Sequence, residues 1–203
     1  MGGILPTLLL CAATVHPDTL HDIAKVESGF NPYAIAEIKA KGKVVSHLPK
    51  TKNEALQILS RLKKENARYS VGLMQIYSGN FKRFNVTAEE MLNACSNLKI
   101  AEKILVDCYQ RGGNVVNMAS CYYSGNFKTG KKKETQFANT SYIERIGLSD
   151  NTNNYIVPST KLNKRGDDDK EIKGKETETI TELKSLNTIL YPRYAMRGVI
   201  KKN

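Results

Sequence analysis

Leu20, Ile23, Ala24 and Glu27 recur at i, i+3, i+4 and i+7, so one helical face carries three apolar side chains and a carboxylate. Glu27 lies on that stripe one residue before the helix gives out at Ser28-Gly29. A carboxylate there is taken out of water, and desolvation disfavours its charged form and raises its pKa. A glutamic acid raised in this way is what general-acid cleavage of a glycosidic bond requires. The same spacing also describes a frayed helix end, with Glu27 in solvent or paired with Lys25 or another basic residue. Periodicity alone favours that second reading.

Cys11, Cys95, Cys108 and Cys121 are the four cysteines. No CxxC or Cys/His spacing of a zinc site occurs, and neither metal nor cofactor is expected. An even number suits two disulfides and an oxidising compartment, with four buried thiols as the alternative. Cys108 and Cys121 flank Arg111-Gly112-Gly113-Asn114, a helix stop and turn. Antiparallel flanking helices would bring them within one helical rise of about 5.4 Å, near enough for a bridge. His16, His21 and His47 form no cluster and attract no chemistry.

The elements that must position these residues are mostly helices. Pro17, Asp18 and Gly29 start and stop a helix over 17–28. Residues 36–48, around Gly42, suit a small hairpin. A helix follows over 52–66 with Ala55, Leu56, Leu59 and Leu62 as its apolar stripe. Tyr69 to Ile76 is apolar and interrupted by Gly72. Further helices are expected over 78–84, 87–92, 97–109 and 115–123, the second opened by a Thr87/Glu90 capping box. Three regions result: an apolar segment 1–13, a folded domain 14–150 and a polar basic tail 151–203.

The tail is charge-dense and poor in large apolar residues, which predicts partial disorder. Ile180, Leu183, Leu186, Ile189 and Leu190 near its end keep helical spacing, suiting an amphipathic helix that docks on the domain or on a partner. Ile4 to Ala13 is too short to span a membrane and resembles the apolar core of an export signal without its basic start.

Over 203 residues the chain is 40% hydrophobic and 25% charged, ordinary for a soluble domain, but its net charge is +11. Such a balance favours polyanions, whether nucleic acid, an anionic membrane face or an anionic cell wall, and composition cannot choose among them. No DNA- or RNA-binding motif accompanies the charge, so nucleic acid is not an expected partner.

An ordered set of segments separates these readings. Glu27-Ser28-Gly29-Phe30-Asn31-Pro32 resembles the catalytic segment of the family-one lytic transglycosylases, a branch of the lysozyme-like fold. Gly72-Leu73-Met74-Gln75-Ile76 is similar to that family's second segment. Cys95-Ser96-Asn97-Leu98-Lys99-Ile100-Ala101 resembles its asparagine-plus-helix motif. Ala119 to Asn126 resembles its later tyrosine segment, with Tyr123 where asparagine is usual, and Tyr142-Ile143 fits the last tyrosine position. The order and spacing match from about Cys11 to Ile146. VHPDTL, VESGFNPYAI and CYYSGN bring the chain nearest to the VirB-type lytic transglycosylases of type IV secretion systems.

This resemblance implies a mainly α (α+β) lysozyme-like domain with a small β-hairpin and a charged C-terminal tail. It implies that Glu27 protonates the glycosidic oxygen between N-acetylmuramic acid and N-acetylglucosamine, then acts as base on the muramyl 6-hydroxyl to close a 1,6-anhydro ring. The absence of a second carboxylate in a matching motif fits a single-acid reaction, since hydrolytic glycosidases commonly use two. It implies bridges Cys11–Cys95 and Cys108–Cys121, the latter also favoured by register.

Ser28, Gly72, Met74, Gln75, Tyr122 and Tyr142 become candidate substrate-binding residues, each with an ordinary alternative: a helix cap, a turn glycine, core packing, a buried amide, packed tyrosines. The motif tips Gln75 and Tyr122 towards function and leaves Met74 and Tyr142 evenly balanced. The expected setting is the periplasm or cell envelope, with peptidoglycan as substrate, secretion components reached through the tail, and a monomeric state. A hydrolytic lysozyme and a non-catalytic wall-binding assembly factor are the alternatives.

Overall fold

Helix α1 (Pro17–Ser28) forms where its end signals predict. The His16 imidazole accepts from the Asp18 N–H at 3.3 Å, Pro17 fills the first helical turn, and Gly29 takes the left-handed conformation at φ 59°. Leu20, Ile23 and Ala24 are wholly buried. The computed structural model describes residues 10–12, 14–40 and 43–148. The apolar run before Leu10, and the expectations for the tail and for Ile180–Leu190, lie outside the described residues.

The expected hairpin is half of a larger sheet. β1 (Ile35–Ile38) pairs antiparallel with β2 (Val44–His47) on one side and with β3 (Arg68–Val71) on the other. β3 pairs with the short β4 (Ile76–Tyr77), giving the order β2-β1-β3-β4. The second hairpin escapes a periodicity reading because β4 is two residues long.

Between β2 and β3 runs α2 (Lys52–Lys64), capped by Thr51, whose hydroxyl accepts from the Glu54 N–H at 3.2 Å. It buries Ala55, Leu59 and Leu62, with Leu56 half-buried. The helix stops two residues before the expected 66 because Asn66 turns left-handed, at φ 48°.

The expected helices over 78–84 and 87–92 shrink. A 3₁₀ turn (Ser78–Asn80) leads into the single-turn α3 (Phe81–Phe84), ended by Asn85 at φ 50°. The Thr87/Glu90 capping box forms, with hydrogen bonds of 2.7 and 3.2 Å. It opens only a 3₁₀ turn (Glu90–Leu92), because Asn93 is extended and caps the next helix through Ser96 N–H at 3.1 Å. That helix, α4 (Ala94–Gly112), therefore starts three residues earlier than 97.

Gly113, at φ 74°, ends α4, and the Asn114 side chain caps α5 (Val115–Ser124). A last short helix, α6 (Tyr142–Arg145), opens with a Ser141/Glu144 capping box. The core gathers Leu98, Ala101, Ile104 and Leu105 of α4 with Met118, Ala119 and Tyr122 of α5 and the buried stripe of α1. Disulfides join Cys11 to Cys95 and Cys108 to Cys121, tying the chain ahead of α1 to α4, and α4 to α5. Among the described residues no helix is long and apolar enough to cross a membrane.

Candidate active site

Glu27, on the last turn of α1, is 1% exposed, although it is a carboxylate at a helix end. The helix terminates in the frame that periodicity sets, so the carboxylate stays on the buried stripe rather than fraying into solvent. Its Oε1 accepts a hydrogen bond from the Tyr142 hydroxyl at 2.8 Å. Burial takes water away from this carboxyl, and the Tyr142 hydroxyl supplies a hydrogen bond in its place. Ser28 is buried as well, and its hydroxyl donates back to the Ala24 carbonyl at 3.1 Å.

Beside Glu27 a recess opens towards the sheet, lined by Gln75, Ala34, Ala36, Ser46 and Leu48 among others. Cross-strand pairing explains its small walls. Ala36 lies opposite Ser46 and Ser70, a row of short side chains on one face of the sheet. Leu48, half exposed, is one of the two exposed large apolar residues among those described. Its place is set by Asn31, whose amide donates to the Pro49 carbonyl at 2.9 Å and ties the exit of β2 to the loop after α1. Among the described residues lining the recess, Glu27 is the sole carboxylate.

Glu37, one residue along from Ala36, points to the opposite face. There it meets Lys39, the His47 imidazole at 3.0 Å and the Arg61 guanidinium at 3.0 Å. Burial alone would raise its carboxyl, but these three partners outweigh burial and hold it at about 2. Glu37 is thus a structural anion that stays charged down to about pH 2, with its carboxylate committed to cations.

The segment Gly72 to Gln75 is the turn joining β3 to β4. Gly72 sits at φ 86° and Gln75 at φ 51°, and the Gln75 N–H closes the turn on the Gly72 carbonyl at 3.1 Å. Gln75 Nε2 donates to the Ala34 and Gly72 carbonyls at 3.0 and 2.8 Å. Met74 is wholly buried, and its carbonyl accepts from the equally buried Tyr122 hydroxyl at 2.6 Å.

Asn97 on α4 organises the same turn, a role that its place in the Cys95–Ala101 motif does not by itself disclose. Its Oδ1 accepts from the Met74 N–H at 2.8 Å; its Nδ2 donates to the Val71 and Met91 carbonyls at 3.0 and 2.9 Å. A Cβ on residue 72 would collide with the Asn97 amide and the Met91 carbonyl, so glycine is required there.

The structure therefore brings Glu27, Gln75 and Tyr142 to one place. It sets Gly72, Met74 and Tyr122 behind them as the frame of the turn. Tyr123, at the position where asparagine is usual, donates its hydroxyl to Glu134 at 2.7 Å. Its ring stacks on Tyr142, with centroids 4.4 Å apart and planes 14° from parallel.

Comparison with known proteins meets this arrangement from a separate direction. The transglycosylase SLT domain family matches residues 9–144, which contain every residue of the site. The type IV secretion system protein virB1 of Brucella abortus is 35% identical over 177 residues, covering 81% of this chain and 72% of its own. Its counterpart in Brucella suis is 35% identical over 158 residues, 72% of this chain and 64% of its own. The protein virB1 of Agrobacterium fabrum is 33% identical over 176 residues, 82% of this chain and 64% of its own. No solved structure matches. With one buried acid at the mouth of a small-walled recess, in a turn-and-helix frame that falls wholly within the matched residues, the chain belongs to the transglycosylase SLT domain family as a lytic transglycosylase of the VirB type.

Proposed function

We propose that this protein cleaves the β-1,4 bond between N-acetylmuramic acid and N-acetylglucosamine in peptidoglycan, with Glu27 as its single acid and base. The observation that carries this reading is the buried Glu27 carboxyl, held by Tyr142 at 2.8 Å beside a recess with no second carboxylate among its described lining residues.

With Oε1 accepting from Tyr142, the acid proton belongs on Oε2. Glu27 gives that proton to the glycosidic oxygen as the bond to C1 breaks. The muramyl 6-hydroxyl then bonds to C1 and returns its proton to Glu27, so no water is consumed and a 1,6-anhydro end remains. Gln75 has its Nε2 protons engaged by backbone carbonyls. What it offers a sugar is its carbonyl oxygen, an acceptor for an N-acetyl N–H. Gly72, Met74 and Tyr122 act by holding Gln75 in the turn.

The Brucella relatives carry type IV secretion in their names, which supports a cellular task of opening the wall locally for a secretion apparatus. In that reading the protein works in the periplasm or cell envelope, and the tail over 151–203 recruits components of the apparatus.

Mass analysis of the fragments released from purified cell walls tests the chemistry. The wild-type chain is expected to release muropeptides with 1,6-anhydro ends. Glu27→Gln is expected to lower that release by roughly 10²–10⁴-fold, the usual contribution of general acid–base catalysis. Reducing-end products would replace this reading with hydrolysis, and full activity of Glu27→Gln would remove Glu27 from the reaction.

A further inference from the structure

The chain beyond α5 holds a cluster that the cleavage chemistry does not itself use. Glu134 and Arg145 are largely buried, with side chains 17% and 13% exposed, and they pair at 2.8 Å. Both Glu134 oxygens are engaged, one by Arg145 and the other by the Tyr123 hydroxyl at 2.7 Å. Arg145 also donates to the Thr140 carbonyl at 3.1 Å, and its guanidinium lies 4.0 Å over the Phe137 ring. The same guanidinium is 5.7 and 5.8 Å from the ring centres of Tyr142 and Tyr123.

These contacts converge on one side chain. Tyr142 and Arg145 are i and i+3 on α6, which has only four residues and cannot fix its own rotation about the helix axis. Anchoring Arg145 to Glu134 sets that rotation. The Tyr123 ring, pinned at its hydroxyl by the same Glu134, lies flat against Tyr142 and removes the remaining freedom of the phenol. Burial and the neighbouring Glu134 carboxylate both push the Tyr123 phenol up, so Tyr123 remains a neutral donor to Glu134.

We propose that Glu134, Arg145 and Tyr123 form a positioning device for the catalytic acid, acting through Tyr142 to fix which face of the Glu27 carboxyl meets the substrate. None of the three touches the reacting atoms; their effect passes through the Tyr142 hydroxyl. The inference rests on the proposed role of Glu27.

The test is a double-mutant cycle in the full chain, with Glu134→Gln and Tyr142→Phe separately and together, assayed on purified cell walls. Glu134→Gln keeps the size of the side chain and removes its charge; Tyr142→Phe keeps the ring stack and removes the hydroxyl. Glu134→Gln is expected to lower kcat by up to about tenfold, no more than Tyr142→Phe itself because it acts through the same hydroxyl, with KM within about twofold. In the Tyr142→Phe background it is expected to add little, because the route is already cut.

A crystal structure of Glu134→Gln supplies a readout independent of activity, and is expected to show the Tyr142 hydroxyl displaced from Glu27 Oε1. Multiplying effects in the cycle, or an undisplaced Tyr142 in that structure, would overturn the positioning role. Where the wild-type chain releases no glycan, the proposed role of Glu27 fails, and the position of Tyr142 in the variant structure still decides the device. Tyr123→Phe, which keeps the stack and loses the bond to Glu134, is expected to retain more kcat than Tyr123→Leu. Equal losses would count against the stacked ring as a conduit.

Discussion

The Tyr142 hydroxyl donates to Oε1 of Glu27 at 2.8 Å, joining residues 115 positions apart in the chain. A hydrogen bond to a charged group contributes about 1.5–3 kcal/mol against about 0.5–1.5 kcal/mol for a neutral pair, so the Tyr142 bond strengthens as Glu27 gives up its proton. If that interaction orients the acid in the transition state, Tyr142→Phe lowers kcat by about tenfold or somewhat more, since about 1.4 kcal/mol is a factor of ten. The ring and its stack on Tyr123 survive the substitution, so KM is expected to stay within about twofold. Steady-state release of soluble muropeptides checks both numbers, and a change confined to KM would move Tyr142 from orienting the acid to binding sugar.

Asn97 and Gly72 make a matched pair, because the amide of one occupies the space that a side chain on the other would need. Asn97→Ala strands the Met74 N–H and the Val71 and Met91 carbonyls, each costing about 1–3 kcal/mol when buried and unpaired. Gly72→Ala meets both the collision and a left-handed backbone, for about 1–3 kcal/mol of overpacking. Denaturant unfolding is expected to rank Asn97→Ala as the more costly. Both should also lower activity, since Gln75 rides on the same turn.

Glu27 was legible as a candidate acid through the ordered segments; the apolar stripe alone fitted a frayed helix end better, and the burial of Glu27 on that stripe decides against fraying. Leu20, Ile23 and Ala24 fix the face, and Glu27 must share it. The ordered segments likewise pointed to the glycine turn. The work of Asn97 was not legible, because one amide bridging three backbone groups on separate segments leaves no periodic trace. Glu37 stands in a polar, charged stretch of the sequence, which gives no sign of burial, whereas strand pairing places it buried among three cations. Tyr123, Glu134 and Arg145 meet only through tertiary packing, and local spacing does not encode that. The two-residue β4 and the single-turn α3 were missed in type or length because elements so short are set by their neighbours rather than by propensity.

Glu37 gives the fold a defined response to acid. Its carboxyl falls from an ordinary 4.5 to about 2 because Lys39, Arg61 and His47 outweigh the effect of burial. A group whose folded pKa is depressed contributes stability that is fully present above its unfolded value and is lost as pH falls through the folded one. The loss is therefore expected between about pH 4.5 and about pH 2. Glu37→Gln should lower stability at neutral pH by about 1.5–3 kcal/mol, the scale of hydrogen bonds to charged groups, and should flatten that acid slope. Thermal unfolding of both proteins across this range is the measurement. Parallel slopes would assign the acid sensitivity to other carboxylates.

The two disulfides differ in what they constrain. Cys11–Cys95 closes 84 positions of sequence, whereas Cys108–Cys121 closes 13. Loop-closure entropy then assigns about 4–5 kcal/mol to the first and about 3 kcal/mol to the second, by restricting the unfolded chain. Replacing Cys11 and Cys95 together by alanine should therefore cost more than replacing Cys108 and Cys121, when each is followed by urea unfolding. The functional consequences should run the other way. Cys121 neighbours Tyr122 and Tyr123 on α5, so losing its bridge loosens the helix that braces both the turn and Tyr142. Losing Cys11–Cys95 instead releases the chain ahead of α1 from the start of α4. At a temperature where both variants are fully folded, kcat is expected to fall further without Cys108–Cys121 than without Cys11–Cys95. The reverse order would mean that the anchoring of α1, which carries Glu27, depends on the longer bridge more than on its own buried stripe.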